Sequence, residues 1–371
     1  MTRSRVLTAL ILAAASLLLA ACDAATDETA SDAAPADSAV AVIIAGGVVT
    51  DAEAAAAART QFGAAGLIPR NFPSSEAADW VALYEGLDES GPLLGVYGGW
   101  FDDIATQGEI PEVFQAGAAA ARQYNFSAVV GLGTFTEDVR TGKVDPTIDW
   151  ADQEAVKRYT RTAVAIAREQ QPPFIVIGAE VNRLWEQFPA AFNAFATAWP
   201  ELYAAVNEAS PETEVGTGFQ FEFLRGGGFL SGETHEPRWE LIDRFNGSID
   251  FIAISSHPYF DYGAPSDLPD DYYAELAARA DLPIAFTELG WPSRPLSTAP
   301  DSEYGGSADE QIAFALRFAQ LIGGLDVRFA LWSFQHDLGD VGGPAFESVA
   351  LRLNDGTPKP VLDIWSGFTA R

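Results

Sequence analysis

The sequence predicts an α/β protein, a (β/α)8 TIM barrel. Three observations predict it. Eight short apolar runs alternate with longer stretches of helical pattern over roughly 270 residues. The first run, GLIPRNFPSS, lacks the glycine-rich phosphate turn with which a doubly wound open sheet usually announces itself. Two later runs, FIVIGAEVN and PIAFTELGW, each deliver a glutamate where the chain leaves the apolar layer.

Taken in order, strands are expected at 66–72, 93–100, 127–135, 174–182, 214–223, 250–260, 283–291 and 329–337. Between them the period changes to that of a helix. Asp152–Gln170 places Val156, Tyr159, Ala163 and Ile166 on one face. A later helix opens on a capping box, Ser307-Ala308-Asp309-Glu310, and carries Ile312, Ala315, Leu316, Ala319 and Ile322 at helical spacing.

Ahead of the barrel the chain changes character. Residues 1–21 read as a secretory leader: a basic start at Arg3 and Arg5, an apolar run, then small residues before Cys22. Residues 22–38 lack large apolar side chains and read as an acidic, disordered tether. Residues 39–66 read as a lead-in with an alanine-rich helix after Asp51, and 67–371 as the barrel domain. Cys22 is the single cysteine, so no disulfide forms within the chain. The chain is expected to act as a monomer.

The formal net charge is −30, from 22 basic and 52 acidic residues, and becomes about −32 once Arg3 and Arg5 leave with the leader. Such a surface repels nucleic acid and anionic polymers and suits a neutral or cationic partner.

Within a barrel of this kind all strands are parallel, and their C-terminal tips share the face that carries the active site. Glu180 ends the fourth run and Glu288 the seventh. Strand alternation gives Val176, Gly178 and Glu180 one orientation, and Ile284, Phe286 and Glu288 another. A single acid at a strand end reads as a surface residue or half of an ion pair. Two of them projecting into one bowl suit glycoside hydrolysis, in which one carboxylate attacks and the other donates a proton.

Five motifs carry a resemblance. IGAEVNRLW is similar to the strand-four pattern of endo-β-galactanases, and TELGWPS to the strand-seven pattern of plant and fungal β-1,3-glucanases. ISSHPYF, FALWSFQHD and DGTPKPVLDIW resemble strand six, strand eight and the exit into the last helix. Together, over 67–366, the chain resembles clan A of the glycoside hydrolases. That resemblance implies retention, with Glu288 as nucleophile and Glu180 as acid/base, the carboxyl groups being about 5–5.5 Å apart. It also implies that His257 or Tyr259 donates a hydrogen bond to Glu288, that Trp332 floors the sugar site, and that an arginine, here Arg70, stands near the nucleophile. Clan members usually have Asn before the acid/base, contacting the sugar 2-hydroxyl; this chain has Ala179, so Asn182 or Gln220 is expected to supply that contact. The run Leu19-Ala20-Ala21-Cys22 resembles the lipobox of bacterial lipoproteins, which implies export to the cell envelope and anchoring to a membrane through acylated Cys22.

Aromatic residues collect at the expected tips: Trp100, Phe101, Tyr259, Phe260, Trp291 and Trp332. Sugar rings stack on such planes. Trp100, Tyr259, Trp291 and Trp332 read as sugar contacts, Phe101 and Phe260 as packing. The three histidines have no zinc-site spacing, and neither a nucleophile elbow nor a phosphate loop is present, so no metal and no cofactor is implied. A second class of reading stays open. Ala179 is the feature that favours a non-catalytic glycan-binding or envelope-structural protein on a degenerate hydrolase barrel.

Overall fold

The computed structural model describes residues 60–100, 110–138, 143–227, 234–295, 306–338 and 343–369. The leader, Cys22, the tether, residues 39–59 of the lead-in and Phe101 lie outside the described residues.

In chain order the elements are β1 (Gln61–Ala65), α1 (Ala77–Glu85), α2 (Leu87–Ser90), β2 (Leu93–Gly99), α3 (Glu112–Tyr124), β3 (Ser127–Gly133), β4 (Phe135–Asp138), β5 (Lys143–Pro146) and α4 (Gln153–Gln170). There follow β6 (Phe174–Ile177), α5 (Val181–Gln187), α6 (Pro189–Ala209), β7 (Glu214–Gln220), α7 (Phe221–Leu224), β8 (Phe251–Ser256) and α8 (Ala274–Ala280). The chain ends with β9 (Ile284–Leu289), α9 (Ala308–Leu321), β10 (Val327–Ser333), α10 (Gly343–Phe346) and α11 (Val361–Thr369). Strands β1, β2, β3, β6, β7, β8, β9 and β10 pair in parallel in that order, and β10 pairs back onto β1 to close the barrel. The barrel is the expected (β/α)8 fold.

Two features depart from expectation. The first strand is QFGAA at 61–65, inside the stretch read as lead-in, and GLIPRNF is a loop. A strand built of small residues has no apolar run to announce it. Its smallness is required, because a Cβ on Gly63 would lie 2.0 Å from the Leu93 carbonyl oxygen. The second is the antiparallel hairpin β4–β5, which pairs Glu137 with Val144. The amide of Val144 donates to Gln187 Oε1 at 3.1 Å and so ties the hairpin to α5.

The barrel has an inner and an outer apolar layer. Inside lie Ala65, Leu93, Val129, Val176, Ala253, Ala285 and Leu331, with Phe174, Phe251 and Phe329 packed ring to ring at 4.8–5.9 Å. The alternate positions, such as Ile175, Ile177, Ile254, Phe286 and Trp332, face the helices. The helix faces follow the same logic. In α4, Tyr159, Ala163 and Ile166 are buried, and Asp152 caps the helix through the Glu154 amide. In α9 the Ser307 hydroxyl accepts from the Glu310 amide at 3.1 Å. The face α9 turns inward is Phe314, Ala315, Phe318 and Leu321, slightly rotated from the expected stripe.

Candidate active site

Both glutamates reach the mouth of the barrel, but by turns rather than by strand alternation. β6 stops at Ile177. Gly178 then takes φ +74°, a left-handed conformation that costs glycine nothing, and a Cβ there would lie 2.6 Å from Val181 Cγ1. Its carbonyl accepts from the Gly218 amide at 2.8 Å and from the Thr217 hydroxyl at 3.2 Å. Glu180 itself is left-handed, at φ 52° and ψ 41°. A left-handed glutamate costs of order 1–3 kcal/mol, and such residues concentrate at functional sites.

Glu288 depends on a bulge. Phe286 points outward, against Tyr273 at 4.9 Å and Phe318 of α9 at 4.8 Å. Simple alternation would send Glu288 the same way. Instead the register on β8 slips: Ile254 stands opposite Phe286, and the next residue, Ser255, stands opposite Glu288. The extra residue, Thr287, re-aims the chain, as bulges commonly do beside active sites. The Tyr97 hydroxyl, reaching from β2, donates to the Thr287 carbonyl at 2.8 Å. Gly95 and Gly131 leave room for that ring, since a Cβ on either would fall within 2.8 Å of it.

The two acids differ in their surroundings. Arg183, one helical turn beyond Glu180 in α5, donates from Nη1 to Glu180 Oε2 at 2.8 Å and from Nη2 to Glu137 Oε1 at 2.6 Å. The Ser255 hydroxyl donates to Glu180 Oε1. Arg183 is almost entirely buried, with 2% of its side chain exposed. Burial pushes the Glu180 carboxyl up, but Arg183 and the Ser255 bond outweigh it and hold the group below its usual value. Glu288 goes the other way. Burial, then the charges of Glu180 and Glu137, push it up to about 8, against a smaller pull from Arg183. The two carboxyl groups are thus pushed in opposite directions, Glu180 down and Glu288 up.

Neither donor expected at Glu288 bonds to it among the described residues. The Tyr259 hydroxyl donates to the Ala345 carbonyl at 3.0 Å. His257 Nε2 lies 3.3 Å from the Ser333 hydroxyl. Burial pushes His257 down to about 4, so the imidazole is neutral. Arg70 donates to Asp79 at 2.6 Å on the loop after β1, and its place beside the carboxylates is taken by Arg183.

Other expected sugar contacts are structural. Asn182 and the Gln220 backbone exchange two hydrogen bonds, at 2.8 and 2.9 Å, and the Gln220 side chain caps α7 through the Phe223 amide at 2.6 Å. Both residues are fully buried, so neither replaces the missing Asn; Ala179 itself is exposed. Trp332 lies on the outer side of β10, donates to the Val349 carbonyl at 2.6 Å and packs edge-on against Trp365 at 5.1 Å. Trp291 is buried against Phe314, and Trp100 is buried against Tyr159 with its indole donating to Thr162. The strand pleat turns Trp332 outward, and Trp100 and Trp291, just past the ends of β2 and β9, are buried in the same hydrophobic core.

A third acid, Glu222, follows β7 and is fully buried. It accepts from Gln220 Nε2 at 2.5 Å, the Ser256 hydroxyl at 2.7 Å, the His257 amide at 3.0 Å and the Tyr272 hydroxyl at 3.0 Å. Burial pushes it up to about 7 despite those donors. It holds the end of β8, directly after Ser255. Among the described residues no group of three or more His, Cys, Asp and Glu side chains is arranged to hold a metal ion.

Sequence reasoning missed Arg183, Glu137, Ser255, Tyr97 and Glu222. Arg183 had a signal: it lies three residues after Glu180, the spacing of neighbours on a helix, in a chain poor in basic residues. Glu137 had none, since only the hairpin brings it to the mouth.

No family model matches the chain, and no curated protein matches it in sequence. Solved structures do match in fold. Fpglu1 from Fervidobacterium pennivoraus shares 13% identity, with 84% of this chain and 96% of that one covered at a TM-score of 0.58. The barrel is one that glycoside hydrolases use. A family 39 glycoside hydrolase from Bacteroides cellulosilyticus WH2 matches at 14% identity, 85% and 64% coverage and a TM-score of 0.59. The beta-glycosidase of Thermosphaera aggregans matches at 11% identity, 84% and 96% coverage and a TM-score of 0.56. At these identities the likeness is one of architecture, and fold alone does not carry activity.

Proposed function

We propose that the chain is a retaining glycoside hydrolase acting on a neutral β-linked polysaccharide or oligosaccharide. The observation that carries the reading is the pair Glu180 and Glu288, joined through Ser255 and pushed in opposite directions of pKa by Arg183 and burial. Two carboxyl groups with divergent pKa values are what acid–base assignment at a glycosidic bond needs. The glycosidase barrels among the structural neighbours agree with it. The acidic surface supports an uncharged glycan. Export as a lipoprotein anchored through Cys22 belongs to the same proposal and rests on the lipobox-like run.

The test is a panel of aryl β-glycosides and neutral β-glycans, with the product anomer followed by proton NMR. A β-anomer formed first supports double displacement, and an α-anomer rejects it. One observation favours the second reading, a non-catalytic glycan-binding or envelope-structural protein on a degenerate hydrolase barrel: the residue before Glu180 is Ala179, whose side chain supplies no hydrogen bond to a sugar. Binding of a glycan from the panel without turnover would establish it.

A further inference from the structure

Glu180 opens a short helix whose far end carries two aromatic rings that are not sealed in the core. We infer that this helix, α5, and the segment 235–238 beside it form an outer subsite for one neutral sugar of a glycan chain, with Trp185 as its stacking plane. The inference rests on the glycosidase reading above and deepens it: the substrate is a chain that extends beyond the reacting bond, past Glu180.

The position follows from the fold. α5 begins directly after Glu180, and its first turn carries Arg183, bonded to that carboxylate. Residues Val181–Leu184 are buried, whereas Trp185 and Glu186 are half-buried and Phe188 is exposed. Phe188 is one of two large apolar side chains so exposed among the described residues, and it lies three residues from Trp185, the spacing of neighbours on a helix. On the other flank the chain returns after α7. The amides of His235 and Arg238 donate to the carbonyls of Gly226 and Leu224 at 2.9 and 2.8 Å. Gly226 allows that approach, because a Cβ there would lie 2.0 Å from the His235 carbonyl oxygen. The Arg238 guanidinium stands 5.3 Å from the centre of the Trp185 ring, and Phe223 braces that ring edge-on at 6.3 Å. His235 packs on Phe223 at 4.6 Å.

The polar atoms in this cluster point to the class of ligand. Glu186 Oε2, His235 Nε2 and Arg238 Nε are each shielded from water and have no hydrogen-bond partner among the described residues. Folded proteins leave few buried polar atoms in that state without a reason. Burial pushes the Glu186 carboxyl up, and Arg183 and His235 pull it down, so it faces both. His235 Nδ1 lies 2.7 Å from the Glu236 carbonyl oxygen, so in the neutral ring it carries the hydrogen and Nε2 is a bare acceptor. The cluster therefore offers two acceptors and one donor. A cation answers only the acceptors and an anion only the donor. Sugar hydroxyls both donate and accept, so a neutral polyol answers all three, while its C–H face stacks on Trp185. Glu186, His235 and Arg238 are themselves partly exposed, so their unpaired atoms lie just beneath the surface.

The experiment uses neutral β-linked oligosaccharides from the panel, of increasing length, with affinity followed by calorimetry and turnover by product analysis. In the wild type, affinity and kcat/KM should each rise by about tenfold once the chain is long enough to reach Trp185. Trp185→Ala should lose that gain, and Trp185→Phe, which keeps an aromatic plane, should recover most of it. Phe188→Ala, at an exposed position, tests the same face should Trp185→Ala not fold, and is expected to reduce the gain. A wild type that gains nothing from length, or a loss in Trp185→Ala that is the same at every length, overturns the subsite and leaves the glycosidase reading standing. A gain in affinity that Trp185→Ala removes, in a wild type without turnover, supports the subsite and overturns the glycosidase reading. A wild type that binds no oligosaccharide of the panel overturns both.

Discussion

Ser255 stands opposite Glu288 in the β8–β9 register and gives its hydroxyl to Glu180, so one residue joins the two acids of the barrel mouth. Its own position is set from behind, where Glu222 binds the Ser256 hydroxyl and the His257 amide. The site is thus organised by the end of β8 as much as by the two strands that carry the acids.

Arg183 is the cation that pulls the Glu180 pKa down. Arg183→Met should raise the Glu180 pKa, so the limb of the pH–rate profile that Glu180 governs should move to higher pH. Stability should also fall, by about 3–5 kcal/mol, since one partner of a buried pair is removed. A profile with that limb unmoved in a folded variant would show that Arg183 does not control the Glu180 carboxyl.

Trp332 belongs to the packing between barrel and helices. Trp332→Ala should cost about 3–5 kcal/mol in urea denaturation, the range for emptying a large aromatic site. Glycan affinity of the remaining folded protein should be unchanged. Weakened binding with unchanged stability would return this residue to the sugar site.

Tyr97 holds the bulge that aims Glu288. Tyr97→Phe keeps the ring and leaves the Thr287 carbonyl without its donor, at a cost of about 1–3 kcal/mol. The turnover number should fall more than KM rises, because a misplaced carboxyl group affects the transition state more than substrate binding. A pure KM effect would argue against a positioning role.

Stability should decline with rising pH across the neutral range. Glu288 and Glu222 have folded-state values of about 8 and about 7, both above the usual carboxylate value of 4.5. Between 4.5 and these values the folded chain holds protons on these two groups that the unfolded chain has released, and this loss of stability with rising pH outweighs the opposite contribution of His257 between about 4 and 6.5. The melting temperature should be lower at about pH 8.5 than at about pH 5, and Glu288→Gln should flatten part of the slope. A wild-type melting temperature that rises over this interval would contradict both shifts.

Cys22 lies outside the described residues, and its role is tested in cells. Cys22→Ser should move the protein from the membrane fraction to the soluble one. Soluble wild type with a free Cys22 thiol would refute the anchor.

The sequence by itself determined the barrel. Apolar runs such as FIVIG and DFIAIS are buried on both sides, and the alternation of strands with helices leaves few ways to cover them. It also picked out Glu180 and Glu288, because an acid at the end of such a run stands out. What it could not decide is where side chains point once regular alternation stops. Gly178 and Glu180 turn left-handed, and Thr287 adds a bulge, so orientations counted along a strand no longer hold at its tip. The same pleat, still regular at Trp332, carries that ring outward into the core. The charge order was beyond the sequence too, because it depends on Arg183, Glu137 and Ser255. These lie on three different elements, and only closure of the barrel and folding of the β4–β5 hairpin bring them to one place.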